Sequence, residues 1–332
     1  MDNLTHTAIG LFLARIGLGR WSAGGTPIVL IAANIPDIDV VSSAGGTLNY
    51  LAYHRHLTHS LLLMPVMALA AVVVVRLAGR KQVNWAGAFF AALIGVASHL
   101  ALDWTNVYGI RLLLPFSNEW LRADITGVVD VWIWAVLAIG IAGPFLARLV
   151  GSEISSGSAR QPHHGRGFAW FALLVVLLYD CGRGVLHARA VGSLAARMVE
   201  GAIPLRVAAT PDAVNPLKWR GIVETPGAYV IQDLNMVVDA GSAHGTVFHK
   251  PEPEPALDAA RASAAIQGFL RFSQHPLWRV TPYPAVEDGK LVEVFDLRFG
   301  TPLAPGFVAR AVLDARLHVV ESSFQFGGVR PK

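Results

Sequence analysis

The sequence is poor in cysteine and in charge. Its 332 residues include one cysteine, Cys181, which excludes an intramolecular disulfide framework and a metal site made of four thiolates. Only 15% of the residues are charged, against about 25% in an ordinary soluble domain, whereas 53% are hydrophobic. This composition excludes a disordered chain and argues against a single water-soluble globule. The net charge is +4 without a long basic run, so we expect no nucleic-acid partner.

The few charges are unevenly distributed. Residues 1–100 hold nine charged side chains, whereas residues 205–332 hold twenty-six. We therefore predict a mainly α protein, in which a multi-helix membrane bundle precedes a smaller, strand-rich α+β soluble domain. The predicted divisions are a membrane-embedded helical domain over 1–150, a linker with one further transmembrane helix over 151–186, and the soluble domain over 187–332.

Six apolar segments suggest where the chain enters the membrane. They lie at 4–18, 27–41, 61–75, 85–102, 128–146 and 168–185. A full helical span needs about 20 residues, so the first two segments are short. The start of the chain lacks the basic region of a signal peptide, and we expect insertion through internal segments. Further on, alternation predicts strands at 290–299 and 317–326, and periodicity predicts a helix at 258–272.

Loop charges predict the orientation of these segments. Arginine and lysine are concentrated in the loops after the first, third and fifth segments, which the positive-inside rule assigns to the cytoplasm if all six segments cross. The ionisable residues that interrupt apolar sequence then all fall on the opposite side. Ionisable groups at membrane depth are costly, so their common location indicates a functional site.

One part of this site is the pair His99 and Asp103. Spacing of four residues places both side chains on one face of a helix, where an imidazole nitrogen and a carboxylate oxygen can bind one metal ion. The alternative is a hydrogen bond within the helix that satisfies a buried histidine.

A second part is the segment 54–60, which holds three histidines in six residues. His54 and His59 are candidate metal ligands, and the alternative is a solvated loop with incidental histidines. Arg55 has the planar guanidinium that suits a phosphate or carboxylate of a substrate.

A third part is the pair Asp37 and Asp39, which follows Pro36. The two carboxylates either bridge two metal ions, or one binds the ion while the other orients a histidine. The alternative is an exposed turn after a helix. His6 by itself is a weak candidate ligand, since a lone histidine near an apolar helix is more often a packed residue.

Histidine and aspartate without thiolate suit Zn²⁺ best among the metals considered, with Mn²⁺ or Fe²⁺ as the other possibilities. Two such ions would activate water and clamp a phosphoryl group. A glycine-rich phosphate loop and a Gly-x-Ser-x-Gly motif are both missing from the sequence.

These motifs resemble the YdjM-type family of membrane-bound proteins, which are described as metal-dependent hydrolases. The resemblance covers about residues 1–150 and is carried by the stretches at 2–7, 35–39, 54–60 and 98–117. It implies that the histidines and aspartates are metal ligands. We favour His54, His59, His99 and Asp103, then Asp37 and His6. Arg55 would hold anionic substrate, and Asp39 or Asp130 would serve as general base.

The order of histidines and aspartates also resembles, more remotely, the zinc-dependent phospholipase C and P1-nuclease superfamily, which uses three zinc ions. Members of that superfamily have a further His and a His-x-x-x-Glu pair, and this chain has neither after Asp103. Asp124 and Asp130 are the available substitutes. We therefore expect one or two metal ions.

The resulting hypothesis is a multi-pass protein of a bacterial inner membrane, with the metal site and the C-terminal domain on the periplasmic side. It would hydrolyse an ester or phosphoester bond of a lipid-linked or membrane-proximal substrate. The alternative is a non-catalytic membrane protein with a structural metal site and a partner-binding C-terminal domain. A transporter is less favoured, because the polar residues gather at one face rather than along a path.

Overall fold

The computed structural model describes residues 1–79, 82–154, 164–199, 201–237 and 245–326. The chain forms two compact units. The first consists of residues 1–39, 55–188 and 211–217, and the second of residues 40–54, 189–210 and 218–332. Most of the predicted linker, residues 155–163, lies outside the described residues.

In the described residues, seven α-helices precede the strands. They are α1 (Asn3–Ile16), α2 (Gly25–Ala32), α3 (Thr47–Tyr53), α4 (Met64–Gly79), α5 (Trp85–Thr105), α6 (Val131–Ile154) and α7 (His164–Ala195). Short 3-10 helices lie between them at Leu18–Arg20, Ile35–Gly45 and Leu57–His59.

Three helices in the described residues are long and apolar enough to cross a membrane, at Trp85–Thr105, Val131–Leu149 and Gly165–Ala195. Two bent helix pairs bring the possible number of spans to five. In one, α2 continues into Ile35–Gly45 with a bend of 44°, and in the other, Thr47–His59 continues into α4 with a bend of 87°. Within the part of the chain that the structure describes, six full spans are therefore not found, because the first predicted segment forms α1, whose 14 residues are too few.

Small residues let the helices of the first unit approach closely. A Cβ atom at Gly95 of α5 would lie 2.9 Å from the Ala32 Cβ and 3.1 Å from the Val29 carbonyl oxygen of α2. A Cβ at Gly10 of α1 would lie 2.8 Å from that of Ala33. Gly10 therefore lets α1 approach the end of α2, and Gly95 lets α5 approach it one turn before His99.

The second unit contains two four-stranded sheets. The first sheet has the order β1 (Arg206–Pro211), β2 (Lys218–Glu224), β3 (Ala228–Asn235), β4 (Thr246–His249). The second has the order β5 (Pro276–Pro282), β6 (Lys290–Asp296), β7 (Phe307–Leu313), β8 (Val319–Phe326), all paired antiparallel. Tyr229 and Leu277 belong to one buried cluster that joins the two sheets. A helical membrane bundle followed by a strand-rich α+β domain is thus confirmed.

The prediction of one continuous helix at 258–272 is wrong. The segment forms two helices, α8 (Pro255–Arg261) and α9 (Ala264–Leu270). Ser263 is extended between them and accepts a hydrogen bond from the Ile266 amide, as an N-cap residue does. The apolar periodicity continues across the break, which is why the sequence pattern does not reveal it.

Candidate metal centre

Four side chains of the first unit converge on one point. The His59 Nε2 lies 3.2 Å from the His99 Nε2, 3.3 Å from the Asp103 Oδ2 and 3.5 Å from the Asp37 Oδ1. The His99 Nε2 lies 3.5 Å from the Asp103 Oδ2 and 3.6 Å from the Asp37 Oδ1. All four donor atoms are within 4.8 Å of one another, so the cluster can hold a metal ion.

Local structure explains how three separate stretches supply these donors. His99 and Asp103 are four residues apart on α5 and share one face of that helix. Asp37 lies in the first turn of the 3-10 helix Ile35–Gly45, and His59 ends the 3-10 turn Leu57–His59.

The spacing of the donors fits a tetrahedral ion. Nitrogen and oxygen ligands at 2.0–2.2 Å from tetrahedral Zn²⁺ are about 3.3–3.6 Å apart. The five measured separations run from 3.2 to 3.6 Å. The five separations are therefore compatible with ligands of one metal ion.

The outer nitrogens of both histidines are held by acceptors. The His59 Nδ1 lies 3.1 Å from the Asp39 Oδ2, and the His99 Nδ1 lies 2.8 Å from the Ala33 carbonyl oxygen. A carboxylate and a carbonyl can only accept, so we assign the protons to both Nδ1 atoms. The two Nε2 lone pairs then face each other and the carboxylates, an arrangement that a cation stabilises.

Arg55 is buried beside the four donors and contacts one of them, Asp103. Its φ of 55° lies in the left-handed region, which is unfavourable for a residue with a side chain. Its guanidinium donates to the Asp103 Oδ1 at 2.9 Å, to the Asn106 Oδ1 at 3.1 Å and to the Gly109 carbonyl at 3.2 Å. The amino group of Met1 also contacts the Asp103 Oδ1. These contacts fix one oxygen of Asp103 and leave Oδ2 facing the histidines.

Asp39 accepts hydrogen bonds from the 3-10 turn that carries His59. Its Oδ2 accepts hydrogen bonds from the Arg55 amide at 2.8 Å and the Thr58 hydroxyl at 2.7 Å, besides its contact with His59. The carboxylate thus fixes both the direction of the imidazole and the path of the chain before it.

The other candidate residues lie as follows. The buried His6 ring stacks on His99 with centroids 3.8 Å apart, and its Nε2 lies 3.4 Å from the Asp103 Oδ1. His54 follows α3 in the second unit, where its ring stacks on that of Tyr50 at 4.5 Å. Neither belongs to the four-residue cluster.

Asp130 lies at the start of α6. Its Oδ1 accepts hydrogen bonds from the Trp132 amide at 3.0 Å and the Ile133 amide at 3.2 Å, and its Oδ2 lies 3.1 Å from the Tyr179 hydroxyl. These are the contacts of a helix cap. Asp130 is not among the residues that converge with His59.

Three supporting groups, Asn106, Thr58 and the Ala33 carbonyl, have no predicted role at the metal site. Asn106 connects Arg55 to the Tyr108 amide, which donates to the Asn106 Oδ1 at 2.9 Å, and Thr58 binds Asp39. Asn106 could have been found, because it follows Asp103 by three residues in the same motif. The Ala33 carbonyl could not, because a backbone acceptor has no signature in sequence.

Asp39→Ala is expected to weaken zinc binding by about 10- to 100-fold, the usual effect of removing an outer partner of a metal-binding histidine. The measurement is competition with a chelator on detergent-purified protein. Asp130→Asn is the matched control, since it removes another buried carboxylate outside the cluster and should leave affinity unchanged. Equal affinity in wild type and Asp39→Ala would contradict the orienting role.

The fold and the centre define a membrane protein with several candidate spans and a candidate His/Asp metal site. The chain belongs to the YdjM inner membrane protein family, whose model matches residues 1–190. A second model, the YfhP C-terminal alpha/beta plait domain, matches residues 255–327. The chain is 24% identical over 329 residues to the uncharacterized protein YfhP of Bacillus subtilis (strain 168), with 93% of this chain and 90% of that protein covered.

No solved structure matches the chain. The resemblance to the YdjM-type family is confirmed. The more remote likeness to the phospholipase C and P1-nuclease superfamily is not shown by these matches.

Proposed function

We propose that this protein is a membrane-bound, metal-dependent hydrolase that cleaves an ester or phosphoester bond in a lipid-linked or membrane-proximal substrate. The observation that carries the proposal is the set of four donors within 4.8 Å of one another, with the Nδ1 atoms of both histidines close to acceptors outside the set. Zn²⁺ is the proposed metal, since two imidazoles and two carboxylates suit it, and Mn²⁺ or Fe²⁺ suit the same donors.

Bound zinc in such a site polarises the oxygen of the scissile group and lowers the pKa of water. His59 and His99 would supply imidazole nitrogens to it, and Asp103 would supply an oxygen, its other oxygen being held by Arg55. The side chains of these three ligands are 0% exposed, whereas that of Asp37 is 11% exposed. Substrate therefore approaches on the Asp37 side.

Contacts within the site revise the roles proposed for Arg55 and Asp39. The Arg55 guanidinium is engaged with Asp103, Asn106 and Gly109, so we propose that it orients Asp103. Asp39 is engaged with His59 in the same way. Since Arg55 already neutralises the Asp103 Oδ1, a single ion between Oδ2 and the histidines is favoured over two, with His6 packed beside it.

Membrane location supports the substrate class. The chain belongs to an inner-membrane family, and His99 and Asp103 occupy the last two turns of the candidate span Trp85–Thr105. A centre at the end of a span is at the depth of lipid headgroups. Because Arg76, Arg80 and Lys81 precede this span, we propose by the positive-inside rule that its other end, with the centre, lies at the periplasmic side. The two later candidate spans would then return the chain to that side before the C-terminal domain.

A second candidate is a structural metal site that ties α5 to the two 3-10 helices. It is favoured by the number of protein donors, since four ligands from the chain close a tetrahedral shell, whereas catalytic zinc sites keep an open position. The two candidates differ in the expected effect of metal removal: the hydrolase would lose activity, whereas the structural site would lose thermal stability.

The test begins with elemental analysis of detergent-purified protein. About one equivalent of zinc is expected in wild type and in His56→Ala, and none in His59→Ala, because His59 is one of the four converging donors and His56 is not. Hydrolysis of p-nitrophenyl esters and bis-p-nitrophenyl phosphate, absent in His59→Ala, would support the hydrolase.

Bound zinc without turnover, together with a large drop in melting temperature on chelation, would support the structural site instead. A wild type that stays free of metal after reconstitution with zinc, manganese and iron would exclude both.

A further inference from the structure

The turn formed by residues 111–117, after α5, exposes large apolar side chains. Phe116 is 85% exposed, and Leu113 is exposed as well. The turn closes on itself, since the Phe116 and Ser117 amides donate to the Leu113 carbonyl oxygen at 2.9 and 3.1 Å. Its exposed apolar side chains are therefore part of an ordered structure, and contiguous exposed apolar side chains mark an interaction surface.

This turn lies beside the start of α4. The Leu61 amide donates to the Leu112 carbonyl oxygen at 3.0 Å, and Leu61 and Leu62 are both exposed. We call Leu61, Leu62, Leu113 and Phe116 the apolar patch; it lies wholly within the first unit. Along α4 the patch continues as a stripe of exposed apolar residues at helical spacing, formed by Leu62, Val66, Leu69, Val73 and Leu77.

The helix α4 is shorter than the hydrocarbon core of a bilayer. Its 16 residues give a length of about 24 Å at 1.5 Å per residue, whereas the core is about 30 Å thick. The apolar patch lies just before the first residue of α4, Met64. Apolar faces that lie in a membrane interface penetrate about 5–10 Å, which matches the missing height.

Polar and aromatic residues beside the turn mark a membrane boundary. Trp104, in the last turn of α5, is exposed, and tryptophan is enriched where the membrane meets water. Asn118 and Glu119, both exposed, follow the turn directly. Irregular backbone exposed to lipid is costly in the hydrocarbon interior, so the backbone of the turn belongs at the boundary rather than below it.

We propose that the apolar patch is a lipid-contacting surface, which inserts Leu113 and Phe116 among acyl chains at the bilayer boundary and extends the lipid-facing stripe of α4. Lipid is favoured over a soluble partner because the patch is continuous with that stripe, in a chain that belongs to an inner-membrane family. The turn thus anchors the non-helical segment after α5 to the membrane. This role does not depend on bound metal.

Single-cysteine labelling of the full-length protein tests the proposal, since the one native cysteine, Cys181, is exposed and replaceable. In a Cys181→Ala background, a nitroxide label is placed at Phe116→Cys or Leu113→Cys, and the protein is reconstituted in vesicles of phosphatidylethanolamine and phosphatidylglycerol. Both labels should be more accessible to lipid-soluble oxygen than to a water-soluble nickel complex. Leu69→Cys, within the stripe, is the lipid-exposed reference. Glu119→Cys is the matched aqueous control and should show the reverse order.

Two results would overturn the proposal. Labels at Phe116 and Leu113 that share the accessibility order of the Glu119 label would place the patch in water. Shielding from both reagents, with spin–spin broadening that disappears on dilution with unlabelled protein, would assign the patch to contact with a second copy of the chain. Zinc content and hydrolysis are measured separately, so failure of the hydrolase proposal leaves this result unaffected.

Discussion

Asp103→Asn is expected to abolish metal binding and to lower the free energy of unfolding of the membrane unit by about 3–5 kcal/mol, the usual cost of removing one partner of a buried ion pair. The Asp103 side chain is 0% exposed and that of Arg55 is 4% exposed, so the guanidinium would lose its counter-charge in a place that water does not reach. Because asparagine has nearly the same shape as aspartate, the expected losses of stability and of metal binding come from removal of the negative charge.

Thermal unfolding in detergent, with zinc content measured on the same samples, checks this result. The double variant Asp103→Asn with Arg55→Met removes both charges and should recover much of the lost stability without recovering the metal. If Asp103→Asn has the melting temperature of wild type and retains zinc, the role of Asp103 in both the ion pair and the centre is contradicted.

Arg298→Met is expected to destabilise the C-terminal domain by a comparable amount, about 3–5 kcal/mol. The side chains of Arg298 and Asp296 are both 0% exposed, and their closest nitrogen and oxygen are 2.6 Å apart. Arg298 also donates to the Phe272 carbonyl oxygen at 3.2 Å and lies over the Phe272 and Phe299 rings. Methionine fills part of this space but leaves the Asp296 carboxylate buried without its cation.

The measurement is unfolding of the full chain, followed by a probe in the sheet domain. Arg316→Met removes an exposed arginine and should change stability by less than about 0.5 kcal/mol. If Arg298→Met and Arg316→Met unfold alike, the buried pair does not stabilise the domain.

The same pair predicts a pH dependence. Burial raises the pKa of Asp296, but the charge and hydrogen bonds of Arg298 outweigh it, and the pKa lies below its ordinary value of 3.8. A lowered carboxylate pKa stabilises the fold above the unfolded-state pKa of about 3.9, and this stabilisation disappears as pH falls through the folded-state value. The stability gap between wild type and Arg298→Met should therefore narrow below about pH 4.

Local patterns were sufficient for part of the fold and of the site. The pairing of His99 with Asp103 follows from helical periodicity alone, because residues four apart share a face wherever the helix lies. The strand β6 follows from alternation in the same way. The division into a charge-poor helical part and a charged strand-rich part follows from composition.

Choices between equivalent residues required the tertiary structure. The sequence offers three histidines between 54 and 59, but it does not show that His59 points at α5 while His54 stacks on Tyr50. The role of Arg55 likewise could not be predicted, because its partners Asp103 and Asn106 are about fifty residues away. The break between α8 and α9 was missed because a single extended serine does not disturb the apolar period.

The sequence by itself thus determined the class of protein, the kinds of donor atoms and one rigid pair of ligands, since these depend on composition and on spacing within one helix. Only the tertiary structure decided which Asp and His complete the set and which polar groups orient them. These contacts join residues far apart in the chain, and their geometry arises from packing of whole elements, which no local pattern encodes.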